Sequence, residues 1–88
     1  MRLKYEFETM ELMDQIIAIP VGDSTEDYHE AIKLNGTAAF IFDLLKEETT
    51  VEAIVDRMEK EYDAPRETIE KDVRNNIAQF EKKGLIIG

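Results

Sequence analysis

Residues 34–45 read Leu-Asn-Gly-Thr-Ala-Ala-Phe-Ile-Phe-Asp-Leu-Leu, and this stretch separates two kinds of pattern in the chain. Before it, apolar and polar residues tend to alternate, which is typical of half-buried strands. After it, apolar residues recur at helical spacing. Asn35 ends the last strand and can cap a helix, because its side-chain oxygen can accept an unpaired N–H of the first turn. The helix that follows is apolar almost all round, so we expect it to be the central, most buried helix.

Three strands are predicted upstream of this stretch, and together they form an antiparallel meander. Pro20 and Gly22 close the second of them. The strand patterns cover residues 3–7, residues 16–21 and residues 28–34, with a weaker continuation over residues 8–13 and a polar loop over residues 22–27.

Two further helices are predicted downstream. A capping box of Thr49 and Glu52 begins the second helix. Pro65 suits the first turn of the third, and Gly84 ends it. The apolar face of the third helix carries Ile69, Val73, Ile77 and Phe80, and an apolar tail over residues 85–87 docks against the core. The fold class is therefore α+β, a winged helix-turn-helix-like plan in which a three-stranded antiparallel sheet precedes three helices.

Composition excludes several classes of protein. The chain has 88 residues, which indicates one domain over residues 1–88. It has no cysteine, so disulfides, thiolate nucleophiles and Cys-ligated zinc are excluded. No apolar run is long enough to span a bilayer, and the start is too acidic for a signal peptide. We therefore expect a cytoplasmic protein without a membrane partner.

Catalytic groups are sparse. His29 is the only histidine, and its strand position indicates an ordinary surface residue. Ser24 is the only serine and has no base near it in the sequence. The four glycines are scattered, which excludes a phosphate-binding loop. We expect no enzymatic activity, no metal and no cofactor.

A winged-helix DNA-binding regulator is the alternative that the fold class raises. Its third helix would be the recognition helix. The polar surface of that helix mixes basic residues with acidic ones, namely Arg66, Lys71, Arg74, Lys82 and Lys83 against Glu67, Glu70, Asp72 and Glu81. The whole chain carries 20 acidic and 11 basic side chains, a net charge of -9. Because affinity for nucleic acid comes largely from Lys and Arg, the charge argues against this reading.

The charge is unevenly distributed, which favours a third reading. Residues 1–64 carry a net charge of -10, whereas residues 65–88 carry +1. An open meander also leaves a strand edge to which an extended peptide can add. Asn76, at the rim of the apolar face of the third helix, could line a groove beside such a strand, or it could be an ordinary boundary residue. A plain interaction module for a folded partner is a further possibility, and it would need an exposed apolar patch.

The chain resembles the PqqD-like family, the small domains also called RiPP recognition elements. Four features carry the resemblance: the strand that ends in Pro20; the run over residues 34–45; Thr50-Val51-Glu52-Ala53-Ile54 followed by Tyr62; and Asp72-Val73 with Ile77, Phe80 and Gly84-Leu85-Ile86. Two positions depart from the family pattern. Asn76 stands where the family often has a large apolar residue, and Glu47-Glu48 stands where it often has a glycine.

The resemblance implies a non-catalytic, cofactor-free adaptor. Such domains bind the leader segment of a ribosomally made precursor peptide as a strand added beside the third strand, packed against the third helix. They present it to a modifying enzyme, often a radical SAM enzyme. The peptide-contacting positions map onto His29, Ala31, Ile32 and Lys33 of the strand and onto Ile69, Asp72, Val73, Asn76 and Gln79 of the helix. An acidic leader could approach through Lys33, Lys71 or Lys83. A free strand edge also leaves a domain-swapped or edge-paired dimer open.

Overall fold

The computed structural model describes residues 1–88, apart from the side chain of Ser24. Five strands, a short 3₁₀ helix and three α-helices follow one another along the chain. Their bounds are β1 Arg2–Leu3, β2 Phe7–Leu12, β3 Gln15–Pro20, the 3₁₀ helix Gly22–Glu26, β4 Ile32–Leu34, α1 Gly36–Leu44, α2 Val51–Glu61, α3 Arg66–Lys82 and β5 Ile86–Ile87. The predicted α+β plan, with a three-stranded antiparallel sheet before three helices, is confirmed.

The main sheet has the strand order β2-β3-β4, and both pairings are antiparallel. Its inner face is apolar and buried, because Phe7, Ala18, Ile32 and Leu34 share one core with the helices. Its outer face carries Met10, which pairs with Ile17. Burial alternates along β4, where exposed Lys33 lies between buried Ile32 and Leu34, whereas in β2 only Phe7 is buried.

The predicted strand over residues 3–7 is wrong in its bounds. The chain bends at Lys4 and Tyr5, and the first strand of the main sheet begins only at Phe7. Arg2 and Leu3 instead pair with Ile87 and Ile86 in a separate two-stranded sheet. The bend lets the N–H of Lys4 donate to the carbonyl of Leu85 at 2.7 Å, so the first residues are held by the end of the chain. The docked apolar tail is confirmed, with Leu85 fully buried.

The predicted strand over residues 28–34 is also too long. Only Ile32–Leu34 pair with β3, and Ala18 lies opposite Ile32. Continued by two residues, this register would set Glu30 opposite Pro20, which has no N–H to donate. The ladder therefore stops, and Tyr28 stacks on the ring of Tyr5 with centroids 5.6 Å apart. The predicted loop over residues 22–27 is also partly wrong, since Gly22–Glu26 form the 3₁₀ helix.

The helix boundaries largely follow local signals. Asn35 caps α1, as predicted, and its side-chain oxygen accepts from the N–H of Ala38 at 2.8 Å. The predicted capping box is wrong, because the cap of α2 is Thr50, which accepts from Ala53 at 3.1 Å. Pro65 directly precedes α3, and its carbonyl accepts from Ile69 in the first turn at 3.1 Å.

Gly84 ends α3 in the left-handed conformation, with φ +74°. The N–H of Gly84 donates to the carbonyl of Glu81 at 2.9 Å, and the N–H of Leu85 donates to the carbonyl of Phe80 at 3.0 Å. This pair of bonds is a Schellman motif, which satisfies carbonyls that the helix leaves unpaired. The four predicted core positions of α3 are all buried: Ile69, Val73, Ile77 and Phe80.

Candidate functional site

A groove of about 340 Å³ runs between the edge of β4 and α3. One side is formed by β4 and the start of α1, and the other by the middle of α3. Its lining consists of Ile32, Lys33, Leu34, Asn35, Ala38, Asn75, Asn76, Gln79 and Phe80. Ile32, Leu34, Ala38 and Phe80 are each less than a tenth exposed, so they form an apolar floor. Amide side chains form the rim on the α3 side.

The backbone of β4 can pair with a further strand at this groove, because β4 is an outer strand of the sheet. Met13 and Asp14 connect β2 to β3 with φ of +51° and +69°, the two-residue loop of a type I′ hairpin. In such a hairpin the flanking residues, Leu12 and Gln15, form a hydrogen-bonded pair. Such pairs alternate along the ladder. At the end of the β2–β3 ladder far from the turn, the N–H of Val21 donates to the carbonyl of Glu6 at 3.0 Å, as this alternation requires.

The alternation determines which backbone groups of β4 are directed outward. Gln15, Ile17 and Ile19 direct their backbone groups to β2, so Ile16 and Ala18 direct theirs to β4. Ile16 and Ala18 lie opposite Leu34 and Ile32. The N–H and carbonyl of Lys33, between those two residues, therefore point away from β3 and towards the open edge. That edge offers one donor and one acceptor to an added strand.

The α3 side of the groove presents amides. Asn76 is half-buried, and its side-chain nitrogen donates to the carbonyl of Asp72 at 2.8 Å. Asn75 and Gln79 are exposed and lie one turn apart on the same side of the helix. Amides both donate and accept hydrogen bonds, so this rim can bind polar groups of a peptide without carrying a charge of its own.

Four of the nine predicted site residues line the groove: Ile32, Lys33, Asn76 and Gln79. Ile69 and Val73 do not line it, because their side chains are in the core. His29, Ala31 and Asp72 are exposed but outside its lining. The groove residues that the sequence analysis missed are Leu34, Asn35, Ala38, Asn75 and Phe80. Asn75 precedes Gln79 by four residues, so helical spacing could have identified it.

Comparison with known proteins places the chain in a family. Residues 22–86 match the family model described as coenzyme PQQ synthesis protein D (PqqD). The chain belongs to the PqqD family. No curated protein matches this PqqD-family chain. The matched segment begins after β3, so it includes β4, all three helices and the whole lining of the groove.

Two solved structures have the same fold as this PqqD-family chain. One is TbiB1 in complex with the TbiA(beta) leader peptide, with a TM-score of 0.75, 24% identity, and coverage of 100% of this chain and 96% of that one. The other is lasso peptide synthetase B1 complexed with the leader peptide, with a TM-score of 0.70, 22% identity, and coverage of 99% and 96%. At this identity the likeness concerns the fold, and it extends over nearly the whole chain.

The cations of the PqqD-family chain divide into two groups. Arg66 forms ion pairs with Asp56 and Glu59, which raise the pKa of its guanidinium. Arg74 pairs with Glu70 at 3.1 Å. By contrast, three lysines have no carboxylate within ion-pair distance in the part of the chain that the structure describes: Lys33, which lines the groove, and Lys71 and Lys83, which lie outside its lining. One stripe along α3 and its C-terminal cap carries a lysine at each end and two amides between, because four residues separate each member from the next: Lys71, Asn75, Gln79 and Lys83.

Tyr28 supports the chain segment that leads into β4. Its ring stacks on Tyr5 and meets Phe7 edge-on, with centroids 5.8 Å apart. Burial raises the pKa of the Tyr28 hydroxyl, and the nearby charge of Glu30 raises it further. This aromatic contact ties the entry of β4 to the core through Phe7.

The outer face of the β2–β3 hairpin carries a second notable surface. Its exposed apolar residues are Met10, Leu12, Met13 and Ile19. Met13, in the turn, is 92% exposed. None of these four residues lines the groove between β4 and α3.

Within the described residues, no helix combines the length and the apolarity that a bilayer span requires. The same residues also contain no group of three or more His, Cys, Asp or Glu side chains placed to hold a metal ion.

Proposed function

We propose that this PqqD-family chain is a non-catalytic adaptor that binds the leader segment of a ribosomally synthesised precursor peptide. The observation that carries the proposal is the outward N–H and carbonyl of Lys33 beside a groove with an apolar floor and an amide rim. Such an edge is what β-strand addition requires. The adaptor would then present the precursor to a modifying enzyme, for which the family resemblance favours a radical SAM enzyme.

In the proposed complex the leader adds to β4 as a fourth strand of the main sheet. Lys33 would contribute two backbone hydrogen bonds, each with a net stabilisation of about 0.5–1.5 kcal/mol. Ordering a disordered leader costs more than this, so side-chain contacts in the groove must supply much of the affinity. Asn75, Asn76 and Gln79 are positioned to make those contacts.

The predicted site residues take different parts in this proposal. Lys33, Asn76 and Gln79 would contact the leader directly. His29 and Ala31 lie in the segment that precedes β4. They would add further contacts with the leader where it runs alongside that segment. Ile32 would contribute to the apolar floor beneath the leader, whereas Ile69 and Val73 would act through the core, because their side chains do not line the groove. Asp72 would hold Asn76 in place through its carbonyl.

The structural relatives support this proposal over the DNA-binding alternative. TbiB1 and the lasso peptide synthetase B1 were both solved in complex with leader peptides. In this chain both arginines of α3 are paired with carboxylates: Arg66 with Asp56 and Glu59 of α2, and Arg74 with Glu70 of α3. Contact of either arginine with a phosphate backbone would require breaking those pairs, and the net charge of -9 opposes binding of the whole chain to nucleic acid.

An NMR titration tests the proposal. The labelled full chain would be titrated with the precursor peptide encoded beside its gene, with a scrambled peptide as control. We expect micromolar or tighter binding, with shift changes concentrated in residues 31–35 and residues 71–83. Changes confined to the β2–β3 hairpin, or no changes with any small peptide encoded nearby, would contradict it. Sedimentation at the same concentrations would show whether a second copy competes for the β4 edge, since an edge-paired dimer would weaken peptide binding.

A further inference from the structure

The side chain of Lys33 and its outward backbone groups together determine one position of any added strand. Lys33 is exposed between buried Ile32 and Leu34, so its side chain lies on the outer face of the sheet. Directly paired residues of neighbouring strands place their side chains on the same face, about 4.5–5.5 Å apart at Cβ. The residue of the added strand opposite Lys33 therefore also lies on the outer face, whichever way the strand runs.

The residues on either side of that central position point the other way. Side chains alternate along a strand, so both would be directed at the inner face, over the groove. There they meet the apolar floor, which includes Phe80, and the amides of Asn75 and Gln79. Lys33 is the one charged residue of the described lining, and its side chain is on the opposite face. A charge at either flanking position would be desolvated without a partner, which is unfavourable.

The surroundings of Lys33 favour a carboxylate at the central position. Ile17 lies opposite Lys33 in β3 and provides no charge. No carboxylate of the described part of the chain forms an ion pair with Lys33. An oppositely charged cross-strand neighbour is therefore available only from the added strand, and such pairs stabilise a sheet.

We propose that Lys33 selects leader segments with an acidic residue flanked on both sides by uncharged residues. The acidic residue pairs with Lys33 on the outer face, and its neighbours enter the groove. This inference rests on the proposed strand addition and deepens it, because it assigns the charge pattern of the recognised segment to one residue of the sheet.

Selection from a displayed library of random nine-residue peptides tests the inference. Selection on the wild-type chain is expected to enrich Asp or Glu flanked by uncharged residues. Lys33→Glu is expected to enrich Lys or Arg at the same position, and Lys33→Met to remove the preference. Lys60→Glu, an equal charge reversal on α2, is the control and should select as the wild type does. For single peptides, exchanging the central Glu for Gln should weaken binding about two- to five-fold in the wild type and not in Lys33→Met.

The outcomes separate the inference from the proposed function. An unchanged charge preference in Lys33→Glu overturns the inference, as does enrichment without a central acidic residue, while the adaptor function stands. If no peptide is enriched on the wild-type chain and the encoded precursor produces no NMR shifts, both are overturned. Circular dichroism of each variant would show that the fold is retained, as expected for an exposed position.

Discussion

The side-chain oxygen of Asn35 accepts a hydrogen bond of 2.8 Å from the backbone N–H of Ala38, and both residues line the groove between β4 and α3. This bond joins the end of β4 to the first turn of α1. It therefore holds the corner at which the open edge of the sheet meets the helical layer.

Asn35→Ala should lower the free energy of unfolding by about 1 kcal/mol, because the first turn of α1 loses its cap. Asn35→Asp is the matched control and should retain most of the stability, since a carboxylate oxygen can accept the same bond. Urea denaturation of both variants checks this. Equal stability of Asn35→Ala and the wild type would mean that the cap contributes little.

Lys33→Pro should fold and lose peptide affinity by about ten-fold. Proline removes the outward N–H, and an edge strand tolerates proline where that N–H is not used in the ladder. Thr9→Pro is a matched control at the opposite edge. The same alternation directs the N–H of Thr9 outward from β2, so its loss should leave peptide affinity unchanged. Calorimetric titration with the precursor peptide measures the affinity of both folded variants. Retained affinity in Lys33→Pro counts against strand addition.

Two glycine substitutions should have opposite effects on stability. Gly84→Ala should destabilise the fold by about 1 kcal/mol, because Gly84 has φ +74°. Gly36→Ala should be neutral or stabilise by up to about 1 kcal/mol, since Gly36 is the first residue of α1 and an added Cβ there meets no atom within 4 Å. Urea denaturation midpoints compare the pair. A loss of stability in Gly36→Ala would contradict the assigned helix start.

Met13→Asn should stabilise the β2–β3 hairpin by roughly 0.5–1 kcal/mol. Met13 has φ +51°, a conformation that Asn adopts more readily, and its exposed side chain has little packing to lose. Met10→Asn is the control within β2 and should not stabilise, because Asn is unfavourable in strands. Thermal unfolding of the two variants should therefore shift upward for the turn substitution alone.

Tyr28 should titrate above the ordinary tyrosine pKa of 10.0, since burial and then Glu30 disfavour its phenolate. Because the folded-state pKa is raised, the stability that Tyr28 contributes is complete below its unfolded-state pKa and is lost as the pH rises through its folded-state pKa. Tyr28→Phe should remove this alkaline loss, and Glu30→Gln should lower the titration midpoint. NMR of the Tyr28 ring against pH measures the midpoint, and a value at or below 10 would refute the expectation.

Much of the helical part of the fold could be predicted from local signals. Asn35 and Gly84 act on backbone groups within a few residues, so a short stretch of sequence contains the whole interaction. The buried row of α3, from Ile69 to Phe80, likewise follows from helical spacing alone. The cap of α2 shows the limit of such signals, because Thr49 and Thr50 are adjacent and only the backbone geometry selects Thr50.

The strands and the groove depended on contacts between distant segments. The pattern over residues 3–7 is that of a strand, but Leu3 pairs with Ile86 at the other end of the chain, and only Phe7 joins the main sheet. Asn75 and Phe80 became groove residues only because α3 lies beside β4. No local pattern contains that juxtaposition.

The helices with most of their caps, the buried face of α3, the uneven charge and the family could all be inferred from the order of residues. That β4 is an outer strand, and that the N–H and carbonyl of Lys33 point to its open edge, became evident only from the folded chain. The physical reason is that helix signals act between neighbouring residues, whereas the orientation of a strand's backbone groups depends on the register of the whole sheet. That register is set by the Met13–Asp14 turn and the pairing of β3 with β4, which no single segment specifies.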